Sequence, residues 1–247
     1  GTTAALATAL SAVKAEIGAA ALGFNIDGRY QCQRLNLAGI YDNAAFTPLR
    51  LERSAGSAFD TLHIHFATQL SAAAPVRLAE VAGPNSGALS LRSWLPASAG
   101  QRVMIAPDEP GAACTVRTVR SIAAPATAGL PWNVALESET SFTAPLQYLP
   151  NASVSLVGDI EQRTIGVNSQ GQLELTSSLL GGSAALADNV IAFRVQYGVT
   201  DSSGDGVSWV DPSGAWSTLD ATNAARVRAL RLGLVARAPQ RDKQCDA

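Results

Sequence analysis

The chain is short of the side chains on which most chemistry depends. Of its 247 residues only 15% are charged, with 18 Lys and Arg against 20 Asp and Glu, and Lys in particular is scarce. The formal net charge of -2 comes with no basic stripe, so nucleic acid is not an expected partner; binding phosphates takes clustered Lys and Arg that release counterions. His63 and His65 are the only histidines. A Ser-His-Asp triad would have to use one of them, and no Gly-x-Ser-x-Gly turn occurs, so the reading is non-enzymatic. Three cysteines, Cys32, Cys114 and Cys245, lie far apart without Cys-x-x-Cys spacing, which excludes a zinc knuckle or a thioredoxin-like redox motif. There is no signal peptide and no run of about 18 apolar residues. Gly1-Thr2-Thr3 leads abruptly into a helical pattern, as a cut end would, so something upstream is expected to be missing.

What is present suffices for a core. At 47% hydrophobic residues the chain should fold, and with no internal repeat or Gly/Ser-rich linker it reads as one domain. Leu6, Leu10, Val13, Ile17, Ala21 and Phe24 recur at steps of three and four, which puts them on one face of a helix. Gly23, Asn25 and Asp27-Gly28 supply its stop. The segment from Tyr30 to Tyr41 reads as a continuation after a break or as a second short helix. Beyond Asp42 the pattern becomes strand-like: Leu62, Ile64 and Phe66 alternate with the two histidines, and Thr115 to Val119 is β-branched apart from Arg117. Thr164 to Val167 and Leu173 to Leu175, joined by Asn168-Ser169-Gln170-Gly171, form an expected hairpin. In the strand that follows, Ile191, Phe193, Val195, Tyr197 and Val199 share one face and Arg194 and Gln196 the other. A last strand sets Leu230, Leu232 and Leu234 against Arg231, Gly233, Val235 and Arg237.

The expected fold class is therefore α+β: an N-terminal amphipathic helix packed on a mainly antiparallel sheet, with extra short strands and long loops. Residues 1–28 would be helix, 29–237 a β-rich body and 238–247 a polar tail. In an oxidising compartment one cysteine pair and one leftover thiol are expected, although buried inert thiols fit equally well. Cys114 with Cys245 would pin the tail to the sheet, and Cys32 with Cys114 would pin helix to sheet. The sequence leaves that choice open.

The stretch Val195-Gln196-Tyr197-Gly198-Val199, the Asp/Gly loop from Thr200 to Gly206, Trp216, and Val227-Arg228-Ala229-Leu230-Arg231-Leu232-Gly233-Leu234-Val235-Ala236-Arg237 resemble, in order and spacing, the C-terminal half of PilW-type minor pilins of bacterial type IV pili. Leu37-Ala38-Gly39-Ile40-Tyr41 matches the Ala-Gly motif that follows the helix in that family. The resemblance is weak between Thr47 and Ala185. It implies a pilin-like fold and a non-enzymatic minor pilin that primes or caps pilus assembly. Its partners would be other minor pilins, the major pilin and a tip adhesin. The exposed side of the first helix, carrying Leu6, Leu10, Val13, Ile17 and Phe24 as its packing face, would meet neighbouring subunits. Such a protein sits in the inner membrane and periplasm before assembly and in the extracellular pilus afterwards, held to the membrane by an N-terminal segment that is missing here.

Other chemistry has candidates. Asp60, His63 and His65 offer metal-ligand atoms, His-x-His placing two imidazoles on one strand face, against the plainer reading of polar residues on a solvated face. Asp201, Ser203 and Asp205 give alternating oxygens with glycines to turn the chain, as calcium loops do, but the position of the closing glutamate is Pro212, with Asp211 beside it, and turn chemistry alone accounts for the loop. No cofactor is expected, with calcium at this loop the one exception the sequence allows. Glu137 and Glu139 share one side of a strand, as paired glycosidase carboxylates would. Trp94, Trp132, Trp209 and Trp216 could serve as sugar platforms in a secreted β-rich module that binds carbohydrate or a cell surface, or could be core and interface residues.

Overall fold

The structure, a computed structural model, describes residues 2–26, 29, 30, 32–69, 74–109, 111–139, 141–201, 203, 204 and 206–238. It opens with helix α1 (Thr2–Ala19) and strands β1 (Asn25–Ile26), β2 (Arg29–Tyr30), β3 (Arg34–Leu37), β4 (Tyr41–Ala45), β5 (Leu49–Arg53) and β6 (Asp60–Ala67). There follow β7 (Val76–Arg77), β8 (Ala88–Leu91), β9 (Arg102–Ala106), β10 (Ala113–Ala123), β11 (Trp132–Leu136) and β12 (Ser153–Gly158). The closing part holds β13 (Ile160–Val167), β14 (Leu173–Ser177), β15 (Gly182–Ala187), β16 (Val190–Thr200), β17 (Val207–Val210), a 3-10 turn at Gly214–Trp216, the short helix α2 (Ala221–Ala224) and β18 (Val227–Ala236).

The α+β expectation is corrected by this architecture. The chain is mostly β, 47% strand against 10% helix, spread over several sheets, so it is not a pilin-like helix packed on one sheet. The helix is too minor to organise a core: Ala9 and Val13 are its only fully buried side chains among the described residues, with Leu6, Leu10 and Ile17 half-buried. It also ends earlier than the apolar periodicity suggests. Ala21 adopts φ 69° and Gly23 φ 84°, and a Cβ on Gly23 would come within 2.3 Å of the Ala67 Cβ. Phe24, read as part of the helical face, lies beyond α1 and stacks at 4.9 Å on Phe46. The Tyr30–Tyr41 segment is likewise not helical. Its described residues carry β2 and β3 and run up to β4, because the period-two placement of Leu35 and Leu37 wins once a parallel partner, β10, is available.

The chain divides into two compact units. The first comprises Gly1–Ala20, Leu49–Ile64 and Gln162–Ala247; the second comprises Ala21–Pro48 and His65–Glu161.

The second unit is built on an eight-stranded sheet in which β4-β3-β10-β9-β12-β7 run side by side and β11 joins β10 to β8. Alternation along β9 supplies two cores. Val103 and Ile105 face one cluster, with Leu89, Leu91, Val134, Val154 and Tyr148, while Met104 and Ala106 face another, with Phe24, Leu35, Phe46, Cys114 and Val116. A sheet buried on both faces needs apolar side chains at successive positions, which is why β9 reads Val-Met-Ile-Ala. Three of the buried polar side chains here form one connected set. Tyr148 Oη donates to the Ala113 carbonyl at 2.7 Å and lies 2.5 Å from Thr115 Oγ1, which accepts from Asn36 Nδ2 at 3.0 Å. Of the cysteine pairings left open by the sequence, Cys32–Cys114 is the one formed. It ties the residues leading into β3 to the neighbouring strand β10, so it staples strand to strand within one sheet rather than helix to sheet. Cys245 lies outside the described residues.

The first unit contains a five-stranded sheet, β15-β14-β13-β6-β5, and a three-stranded antiparallel sheet, β17-β16-β18, with α1 bordering β15 and β18. The expected hairpin is present between β13 and β14: Asn168 Oδ1 accepts from the Gln170 and Gln172 amides at 3.0 and 2.9 Å and closes the turn. The N–H of Leu51 donates to Tyr197 Oη at 2.7 Å, and burial pushes that phenol up to about 12.

Candidate functional site: an arginine groove on β16 and β18

Strand β16 pairs with β18 along nearly all its length. The inward side chains are Phe193, Val195, Tyr197 and Val199, all buried. Ile191, expected to join them, is 42% exposed because the register shifts between Val190 and Ala192 and turns it outward. The outward face carries Arg194 opposite Gly233, Gln196 opposite Arg231, and Gly198 between Ala229 and Trp209. A Cβ on Gly198 would lie 2.8 Å from Trp209 Cζ3, 3.0 Å from Val207 Cγ1 and 3.1 Å from Ala229 Cβ. The missing side chain therefore makes the slot in which the indole lies across the sheet. The Arg231 guanidinium sits 4.2 Å from the centre of that indole.

One end of this face is anchored by a charge cluster. Arg53 and Asp60 face each other across the β5–β6 hairpin. Asp60 is fully buried and accepts four hydrogen bonds: Arg53 Nε at 2.8 Å, Arg53 Nη2 at 2.7 Å, Arg194 Nη1 at 3.0 Å and the Val195 amide at 2.8 Å. Burial alone would raise the pKa of this carboxyl, but the Arg53 guanidinium, the Val195 amide and Arg194 outweigh it and hold the group below the usual carboxylate range. The same bonds, with Asp60 foremost, raise Arg53 above its ordinary value. Arg53 Nη1 also reaches Asp211 Oδ1 at 2.9 Å, which accepts from Gln196 Nε2 at 3.0 Å; Gln196 first and Arg53 second keep Asp211 ionised at lower pH than usual.

Together Arg53, Arg194, Gln196, Asp211, Arg231, Leu232 and Gly233 line a cavity of about 510 Å³. Three guanidiniums and one carboxylate, Asp211, line it, and the buried Asp60 behind Arg53 and Arg194 is wholly consumed in structure. Asp60, locked as an acceptor for fixed cations, has no proton to exchange near neutral pH. The arrangement is equipped to receive an anion.

The candidate residues from the sequence are dispersed. Asp60 is spent on its arginines, His63 lies 3.2 Å from Glu52 with burial lowering its pKa, and His65 lies 3.2 Å from Tyr41 Oη. Among the described residues no three of His, Cys, Asp and Glu gather as metal ligands. In the calcium-loop candidate, Asp201 Oδ1 accepts from the Ser203 amide, the Ser203 hydroxyl and the Gly204 amide at 3.0, 2.6 and 2.9 Å, as a self-closing turn does, and Asp205 lies outside the described residues. Glu139 is bound to Arg117 and Thr118. Trp216 stands 6.4 Å from Tyr197 and beneath Arg226, Trp132 packs on a core, and Trp94 is exposed. Leu6, Leu10, Val13 and Ile17 lie on α1 in the first unit. The arginine groove escaped the sequence reading. Its one local signal was Arg53 and Asp60 on either side of the Ser54–Phe59 connection, whereas Arg194 and Arg231 were legible only as the outward faces of their strands.

No described helix is long and apolar enough to cross a membrane. No curated protein and no solved structure matches the chain. Residues 164–247, which include Arg194, Trp209, Asp211 and Arg231 but not Arg53 or Asp60, match the family model described as type IV pilus-assembly protein W, which ties the closing segment to pilus assembly in the cell envelope.

Proposed function

We propose that the protein is a minor pilin subunit that primes or caps type IV pilus assembly through protein–protein contacts. The observation that carries this reading is the family match over residues 164–247. The geometry is in keeping with it: an open, charged sheet face suits docking better than turnover, and the protein acts by contact rather than by catalysis. On this reading its partners are other minor pilins, the major pilin and a tip adhesin, and it passes from the inner membrane and periplasm to the extracellular filament. Disruption of the gene in its natural host is expected to abolish or sharply reduce surface pili seen by electron microscopy, with recovery on complementation. Normal piliation in the disrupted strain overturns the proposal.

A further inference from the structure

Deepening that reading, and resting on it for the nature of the partner, we propose that the groove on the outward face of β16 and β18 docks a carboxylate-bearing segment of a partner subunit, an extended stretch with Asp or Glu at alternate positions. Four observations lead there. The cavity, about 510 Å³, is large enough for several side chains rather than a lone ion. Its cations have donors to spare. Arg194 is 42% exposed in its side chain and gives only one nitrogen to Asp60, the other going to the Ser57 carbonyl, and Arg231 makes no ion pair among the described residues. Both are held in place beforehand, Arg194 by buried Asp60 and Arg231 by the Trp209 ring, so little side-chain freedom remains to be lost on binding. Finally, Gly233 lies opposite Arg194 and two places from Arg231 without needing to be glycine: a Cβ there would meet the Arg194 carbonyl oxygen and Cβ only at 3.9 and 4.0 Å, ordinary contact. What its bareness secures is an unobstructed floor.

Charge density selects among anions. Asp211 stands at the rim beside Arg53, and the whole chain carries a net charge of -2, so a phosphate polymer with a charge on every unit meets more repulsion than carboxylates spaced two residues apart. In strand geometry alternate side chains point to one face, which would bring a partner's carboxylates toward Arg194 and Arg231 while its backbone crosses Gly233.

The test uses the full chain and the acetylated, amidated peptide Glu-Ser-Glu-Ser-Glu, followed by calorimetry and by the indole N–H resonances of the protein. Saturable binding that weakens with salt and shifts the Trp209 resonance is expected, with about tenfold loss in Arg231→Gln, the equivalent of one charge-assisted contact. Arg231→Gln leaves the Asp60 cluster untouched, and Arg194→Gln, checked for folding by its melting curve, should lose at least as much. Equal binding of Gln-Ser-Gln-Ser-Gln, unchanged affinity in both variants, or tighter binding of a thymidine oligomer of similar length each overturns the proposal. The measurement is independent of piliation: peptide binding in a protein whose loss leaves pili intact would sink the pilus reading alone, and absent binding in a protein needed for pili would sink the groove alone.

Discussion

The two units solve the same problem, holding a sheet together, with opposite materials. In the second unit the sheet carries an apolar cluster on each face, its buried Arg117 is held by Glu139 and by the Pro84, Ser86 and Glu137 carbonyls, and a disulfide joins neighbouring strands. The first unit places a fully buried carboxylate among two arginines and a backbone amide, and leaves the outer face of its three-stranded sheet to charged and aromatic side chains. Apolar burial is non-directional and tolerates solvent conditions, whereas a buried ion cluster fixes direction and is sensitive to pH. The second unit leans mainly on apolar burial and a covalent link, and the first on a carboxylate shared by two arginines.

That contrast can be broken at several points. The largest effect is expected from Cys32→Ala with Cys114→Ala. The bond closes a loop of 82 residues, so its loss should cost about 4 to 5 kcal/mol in the chain-entropy account, read as lost amide protection within the second unit. Asp60→Ala should cost about 3 to 5 kcal/mol by leaving two guanidiniums without their buried anion, with the lost protection confined to β5, β6 and β16. The same carboxylate sets an acid limit. Because its folded pKa is depressed, its contribution is complete above the unfolded value of about 4 and is lost as pH falls through the lower folded value; urea unfolding across that range should show a steep acid limb that Asp60→Asn flattens. Gly198→Val should displace the Trp209 ring at a cost of about 1 to 3 kcal/mol and change the near-ultraviolet dichroism. Smallest of all, Arg231→Gln should move stability by no more than about 0.5 kcal/mol in denaturant titration, since the residue lies on the solvated face; a larger loss would make it part of the scaffold.

How far the sequence could be read follows the same division. Strands β16 and β18 and the Asn168 hairpin were legible because their signals are local: alternation within one strand, and turn chemistry within four residues. The helix was legible in its first turns but not at its end, since the spacing that included Phe24 continued past Ala19 by coincidence. The double-faced core of the second unit was hidden because Val-Met-Ile-Ala fits any buried element and only the pairing of β9 with β10 and β12 decides. The groove was hidden for a stronger reason. Arg53 and Asp60 stand far before Arg194 in sequence, and no window contains all three.

The distance between Asp60 and Arg194, 134 positions along the chain, also imposes a timetable. During synthesis or passage across a membrane, every residue of the second unit has emerged by Glu161, while the carboxylate of the first has Arg53 but still waits for Arg194 and the Val195 amide. The second unit can therefore mature while the first remains an open half, with late closure contingent on the final strands. A ribosome stalled or a chain cleaved just before β16 would release a product with one finished half and an aspartate short of two of its four hydrogen bonds, a ready mark for proteolysis.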